Sequence, residues 1–201
     1  MMTEIWAVRI ERTLTPEQEQ FAIGLLPSER WGRMEKNARP VQAPLCAYAA
    51  LRLALWKTAG LKNWPDIALS EGGKPFFPGN PEIQFNLSHT DGAVLAGVSS
   101  QCLGVDIEKI RPMKPAAMRR LADETDPDAF FQSWVCRESL AKRDGAGFRA
   151  LMEKSRPEDP FYRGFTPFPG YAAGAAMCGG AEFALHCCTV DALLAELTKI
   201  L

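Results

Sequence analysis

The spacing of apolar and polar residues changes period several times along the chain, and each change predicts an element. "EIWAVRI" (4–10) reads as a strand. "TPEQEQFAIGLL" (15–26) places threonine and proline at the cap and first position of a helix. The alanine- and leucine-rich run from Pro44 to Leu61 predicts a buried helix ending at Gly60, and "EGGKPFFPGN" (71–80) a turn-rich loop. Two short strands, "IQFNLSH" (83–89) and "AVLAGVSS" (93–100), flank Asp91-Gly92, a strong hairpin signal. "LGVDIEKI" (103–110) follows as a further strand-like run.

Beyond Pro112 the pattern resets. "PAAMRRLA" (115–122) and "DPDAFFQSWVCRESLAKRDG" (126–145) predict helices, the second with acids at its start and glycine at its end. "EKSRPEDPFYRGFTPFPG" (153–170) reads as a charged, proline-rich loop, and "YAAGAAMCG" and "AEFALHCCTV" as closing strands. A C-terminal helix carries an apolar stripe at 190, 193, 194, 197 and 201, the usual mark of packing. Two stretches of similar size, 1–102 and 103–201, each mix helices with mostly antiparallel strands, so the expected class is α+β. No sequence repeat proves the two halves equivalent.

Composition narrows the function classes. With 201 residues and 47% hydrophobic content the chain can bury a sizeable core. Its 23 basic and 24 acidic residues leave a net charge of -1, so no global field draws it to nucleic acid or an acidic membrane. Glu4 lies near the start with no basic-then-apolar leader, and the longest apolar run, "PLCAYAALRLALW", is interrupted by Arg52. The expectation is a cytoplasmic protein whose six cysteines are buried free thiols.

The candidate chemistry begins in "LGVDIEKI". In an extended segment Leu103, Val105 and Ile107 line one face, and Gly104, Asp106 and Glu108 the other. Two neighbouring anions need solvent or a cation. On the long helix Trp134, Glu138 and Lys142 are spaced by four and continue a stripe from Phe131. A Glu-to-Lys pair there fits a solvated helix face, but the aromatic company predicts partial burial, which is costly for unpartnered charge. Asp106, Glu108 and Glu138 together would suit a hard divalent cation such as magnesium, although alternating acids on an exposed strand are ordinary. Lys74 between glycine and proline could face an anion with nearby backbone amides or simply occupy a turn. Asn86, Ser88 and His89 end a strand whose Phe85 and Leu87 alternate inward. His89 could donate to a phosphate or be structural.

In order, "GKPFF", "FNLSHT", "LGVDIEKI" and "WVCRESLAK" resemble the Sfp-type 4'-phosphopantetheinyl transferases, which activate carrier proteins of fatty acid, polyketide and peptide synthesis. The family patterns are G-K-P, F-N-x-S-H-S, G-x-D-I-E and W-x-x-K-E-S/A-x-x-K, and the resemblance covers residues 72 to 145. It implies a pseudo-dimer of two similar α+β halves with the active site between them, the first half supplying much of the nucleotide contact and the second the metal ligands. Asp106, Glu108 and Glu138 would hold magnesium against the pyrophosphate of coenzyme A. Lys74, Pro75, Asn86, Ser88 and His89 would form the coenzyme A contacts. Lys142 would neutralise or protonate the leaving 3',5'-ADP, and Glu138 would take the proton of the acceptor serine on an apo acyl or peptidyl carrier protein. The pseudo-dimer implies a monomer in solution.

The chain departs from the family in places. A basic residue usual nine positions before Arg52 is replaced by Ala43, with Arg30, Arg33, Lys36 and Arg39 upstream as candidates to compensate. Arg137 stands where lysine is common, and the resemblance fades after Gly147. "RPMKPAAMRR", with Arg143 and Arg149, is the candidate docking surface for an acidic carrier. Two other readings remain open: a metal-dependent phosphohydrolase or nuclease built on the acidic triad, and a non-catalytic binder of coenzyme A or a carrier protein.

Overall fold

A computed structural model describes residues 2–27, 42–146, 158–180 and 182–200. Arg30, Arg33, Lys36, Arg39 and Arg149 lie outside the described residues. The elements in chain order are β1 (Thr3–Arg9), α1 (Pro16–Gly24), α2 (Gln42–Ala59), β2 (Ala68–Leu69), β3 (Pro75–Phe76), β4 (Gln84–Thr90), β5 (Ala93–Ser99) and β6 (Leu103–Lys109). They continue as α3 (Pro115–Ala122), α4 (Pro127–Asp144), β7 (Tyr162–Phe165), β8 (Tyr171–Met177), β9 (Phe183–Thr189) and α5 (Val190–Ile200). This is the mixed α+β arrangement with mostly antiparallel strands that the pattern predicts.

Local chemistry explains several boundaries. At α1 the Thr15 hydroxyl accepts from the Gln18 N–H (3.2 Å) and the Gln18 side chain accepts from the Thr15 N–H (3.1 Å), a reciprocal cap. Asp126 caps α4 through the Ala129 N–H (2.9 Å), and Gly145, at φ 65, ends it in the left-handed region. β4 and β5 pair from Gln84↔Ser99 to Thr90↔Ala93 across the Asp91-Gly92 turn.

Four layers result. A four-stranded sheet in the order β4-β5-β1-β9 lies against a three-stranded sheet in the order β6-β8-β7. Between them Ile5, Ala7, Ala93 and Leu95 meet Leu103, Val105, Ile107, Ala173, Ala175 and Met177 in one apolar core. On the outer face of the first sheet Val8, Val94, Ala96 and Val98 pack under α2 and α5. Across the outer face of the second, Ala172 and Ala176 lie beneath α4 and α3, against Phe131, Val135, Met118 and Leu140. β8 is buried at every position, which explains its run of alanines and one glycine: both faces must admit another layer. β9 runs parallel to β1, so the last strand completes the first sheet.

Four expectations need correction. Cys187, expected as a buried thiol, is exposed. Residues 162–165, expected within a loop, form β7, held by Tyr162↔Ala176 through Phe165↔Ala173; flanking prolines hid so short a strand. Within the expected loop at 71–80, β3 pairs with β2. Cys102 and Cys178, expected as free thiols, are joined as a disulfide with Cα atoms 5.5 Å apart, because β6 and β8 run antiparallel and bring the flanking residues opposite one another. Among the described residues no helix is long and apolar enough to cross a membrane.

Helix α4 reaches β6 at one place that only glycine permits. A Cβ on Gly104 would collide with the Ser139 carbonyl oxygen and the Arg143 backbone nitrogen, neither of which can swing aside. Gly104→Ala is expected to cost about 2–3 kcal/mol in urea unfolding. A stability within about 0.5 kcal/mol of the parent would show that α4 can retreat from the strand at little cost.

Candidate active site

Strand β6 is an edge strand of its sheet and β4 an edge strand of the other, so each presents backbone groups that the sheet ladders leave open. Alternate side chains of β4 answer those of β6. The Val105 N–H donates to Asn86 Oδ1 (2.8 Å), the Ile107 N–H to Ser88 Oγ (3.4 Å) and the Lys109 N–H to Thr90 Oγ1 (3.3 Å). Asn86 and Ser88 are buried. The two sheets are thus joined at their edges by three side-chain rungs in place of a backbone ladder. A period of two in N-x-S-x-T is the sequence signal for this arrangement.

The same hydroxyls meet carboxylates on the neighbouring β6 residues. Ser88 Oγ donates to Asp106 Oδ1 (2.7 Å) and Thr90 Oγ1 donates to Glu108 Oε2 (3.2 Å). Asp106 is only 2% exposed, and its second oxygen, Oδ2, is buried without a hydrogen-bond partner. From α4, Lys142 Nζ reaches Asp106 Oδ1 (2.6 Å), Glu138 Oε2 (3.4 Å), Ser88 Oγ (3.1 Å) and the Val105 carbonyl (3.3 Å). Arg111 Nη1 lies 3.4 Å from Glu108 Oε2, with its guanidinium 5.0 Å from the Phe131 ring centre. Two carboxylates, Asp106 and Glu138, therefore meet one largely enclosed ammonium, with Glu108 and Arg111 paired beside them.

This crowding sets the protonation equilibria. Burial, reinforced by the charge of Asp106, pushes Glu138 up to about 7. The same two causes, in the same order, raise Glu108. Burial opposes the charge of Lys142, yet Asp106 and Glu138 outweigh it and raise its pKa. His89 is lowered by partial desolvation and then by Lys142.

The remaining expected residues are placed as follows. Lys74 Nζ donates to the carbonyls of Leu103 (3.0 Å) and Arg143 (2.9 Å), tying the turn-rich loop to the ends of β6 and α4; burial lowers its pKa. Pro75 lies in β3 opposite Leu69. His89 is the exposed residue between Ser88 and Thr90. Arg52 is buried away from this cluster, donating to the Leu61 carbonyl (2.7 Å) beside Trp64, while Ala43 packs against the core of the first sheet. Arg137 donates to the Leu121 carbonyl (2.8 Å) and so links α4 to the end of α3. Thr90 and Arg111, which sequence reasoning did not single out as site residues, both touch Glu108.

The arrangement concentrates negative charge on hard oxygen donors. Among the described residues no group of three His, Cys, Asp or Glu side chains stands close enough to enclose a metal ion as arranged, because Lys142 lies between Asp106 and Glu138. The donor set itself fits a hard cation: all its ligating atoms are oxygens, and Asp106 Oδ2 is buried without a hydrogen-bond partner.

No family model matches the chain. It is similar to a 4'-phosphopantetheinyl transferase of Bacillus subtilis, 25% identical over 165 residues that cover 75% of this chain and 74% of the relative. Likeness to 4'-phosphopantetheinyl transferase Sfp of Bacillus subtilis (strain 168) is also 25%, over 166 residues, with the same coverage. The 4'-phosphopantetheinyl transferase AcpT of Salmonella typhi is 27% identical over 143 residues, 63% of this chain and 74% of the relative.

The raised carboxyl of Glu138 makes stability pH-dependent. A folded-state pKa of about 7 against an ordinary 4.5 means that the folded chain binds the extra proton between these values. Stability therefore falls as pH rises through that window. Glu138→Gln removes this titration, so the parent should lose about 2 kcal/mol more than the variant between pH 4.5 and pH 7.5 in urea unfolding. Parallel pH profiles would contradict the assignment.

Proposed function

We propose that this chain, a relative of the Sfp-type 4'-phosphopantetheinyl transferases, moves the 4'-phosphopantetheinyl group of coenzyme A onto a serine of an apo acyl or peptidyl carrier protein and releases 3',5'-ADP. The observation that carries this reading is the cluster of buried Asp106 with half-buried Glu138 and Lys142, beside Glu108 at the joined sheet edges. It provides anionic oxygens for a cation, a carboxyl poised near neutral pH and a fixed ammonium. These are parts that phosphoryl transfer needs, since such transfer is mostly positioning and charge neutralisation.

In this reading Asp106, Glu108 and Glu138 would hold magnesium, which when bound would supply charge neutralisation at the pyrophosphate. Glu138 takes the proton of the carrier serine as that oxygen attacks. The serine oxygen forms a bond to the phosphorus of the phosphopantetheinyl group as the pyrophosphate P–O bond breaks. Electrons of that bond leave with 3',5'-ADP, whose developing charge Lys142 neutralises. Lys74, Pro75, Asn86, Ser88 and His89 form the coenzyme A side of the site. For Asn86 and Ser88 this role comes in addition to the rungs that they make to β6.

We read the two helix-backed sheets as the two halves of a pseudo-dimer that acts as a cytoplasmic monomer. Residues 1–102 supply the nucleotide contacts and 103–201 the metal ligands, with β9 and α5 returning to the first sheet. The exposed cations Lys114, Arg119 and Arg120 beside Arg111 form a basic surface for an acidic carrier.

The deciding experiment is the intact mass of an apo carrier protein incubated with this chain, coenzyme A and magnesium, with and without chelator. The expected result is one added phosphopantetheinyl group, lost with chelator. Asp106→Ala, Glu138→Ala and Lys142→Ala should each lower turnover at least about a hundredfold while remaining folded. Near-normal turnover in all three would overturn the reading. Coenzyme A binding without transfer would instead favour a non-catalytic relative, for which Ala43 is the motivating departure, and hydrolysis without an acceptor would favour a phosphohydrolase. Charge reversal at Arg119 and Arg120 should chiefly raise the KM for the carrier, and an unchanged KM would remove this surface from consideration.

A further inference from the structure

We infer that Thr90 is a positioning residue: its hydroxyl fixes one oxygen of Glu108 and thereby aims the other at the cation position. This rests on the reading of Asp106, Glu108 and Glu138 as a cation site. The same motif occurs twice along β4. Ser88 accepts from the Ile107 N–H and donates to Asp106, the residue immediately before Ile107. Thr90 accepts from the Lys109 N–H and donates to Glu108, the residue immediately before Lys109.

Each hydroxyl has a single proton. Once the backbone N–H occupies an acceptor lone pair, that proton is directed to the carboxylate beside it. At Asp106 the consequence is visible: Oδ1 is held by Ser88 and Lys142, and Oδ2 is left buried and unpartnered. At Glu108 the contacts from Thr90 and Arg111, among the described residues, converge on Oε2. One oxygen of each carboxylate is thus committed to protein and the other spared. Glutamate has more rotatable bonds than aspartate, so Glu108 depends more on an external anchor to stay aimed. Asn86, the third member of the row, caps the Val105 N–H and has no carboxylate to orient, which separates sheet joining from ligand orientation within one strand.

The test uses manganese as the probe, bound to the full chain and followed by electron paramagnetic resonance in the absence of coenzyme A and carrier. Thr90→Val should weaken manganese binding about tenfold or more, the usual cost of losing a residue that orients a metal ligand. Thr90→Ser should restore it. In a Glu108→Ala background Thr90→Val should cost nothing further, because the ligand that it orients is gone. Thr90→Ala, whose smaller side chain leaves room for water at the Lys109 N–H, is the alternative if the valine variant does not fold. Parent-like affinity in a folded Thr90→Val or Thr90→Ala overturns the inference. So does an equal loss in the Glu108→Ala background. If the parent itself binds no manganese, the cation reading of the carboxylates fails instead.

Discussion

A buried edge strand cannot leave its N–H groups unpaired, and the rest of this molecule follows from how β6 meets that constraint. An orphaned backbone donor away from water costs roughly as much as a hydrogen bond contributes, and β6 has three pointing toward the other sheet. The row Asn86, Ser88 and Thr90 satisfies them with side chains. A backbone ladder would have fused the sheets into one and excluded side chains from the seam. Because side chains form the rungs, their hydroxyl protons remain available, and the carboxylates of β6 receive them.

The electrostatics follow from the same seam. Burying Glu108 and Glu138 beside Asp106 is unfavourable on its own: burial first, and then the charge of Asp106, pushes both carboxyls up. Lys142 relieves part of this by bridging Asp106 and Glu138, and helix α4 can deliver it only because Gly104 lets the helix rest on the strand. A single methyl group at that glycine would act on the charge balance from a distance by lifting the helix that carries both Glu138 and Lys142.

Much of the fold was readable because its signals are local. The Thr15 cap, the Asp91-Gly92 turn, the Gly145 stop and the alternation around Asp106 depend on neighbours a few residues away, and the elements follow them. β7 was not readable, since a four-residue strand between prolines exists only through its pairing with β8. The Cys102–Cys178 link likewise depends on which strands become neighbours. Around the carboxylates, the shared face of Asp106 and Glu108 and the stripe of Glu138 and Lys142 were visible as periods. What the periods could not say is that β4 lies against β6, so the partnership of Thr90 with Glu108 had no sequence signal beyond a polar alternation. Lys74 adds contacts that its loop did not signal: its ammonium also rests on the carbonyls of Leu103 and Arg143, far away in sequence.

The parallel pairing of β1 with β9 has a consequence for how the molecule comes into being. Thr3 is aligned with Phe183, so β1, made before the other described strands, waits for β9, which is made after all of them. Until then β1 has β5 alone beside it, and the core under α2 lacks Val190, Leu193 and Leu197. On the ribosome the nascent first sheet therefore exposes an open edge and an uncovered apolar face while the rest of the chain is translated. That interval is when a chaperone has the most to cover, and when a stalled chain is most prone to pair with its neighbour.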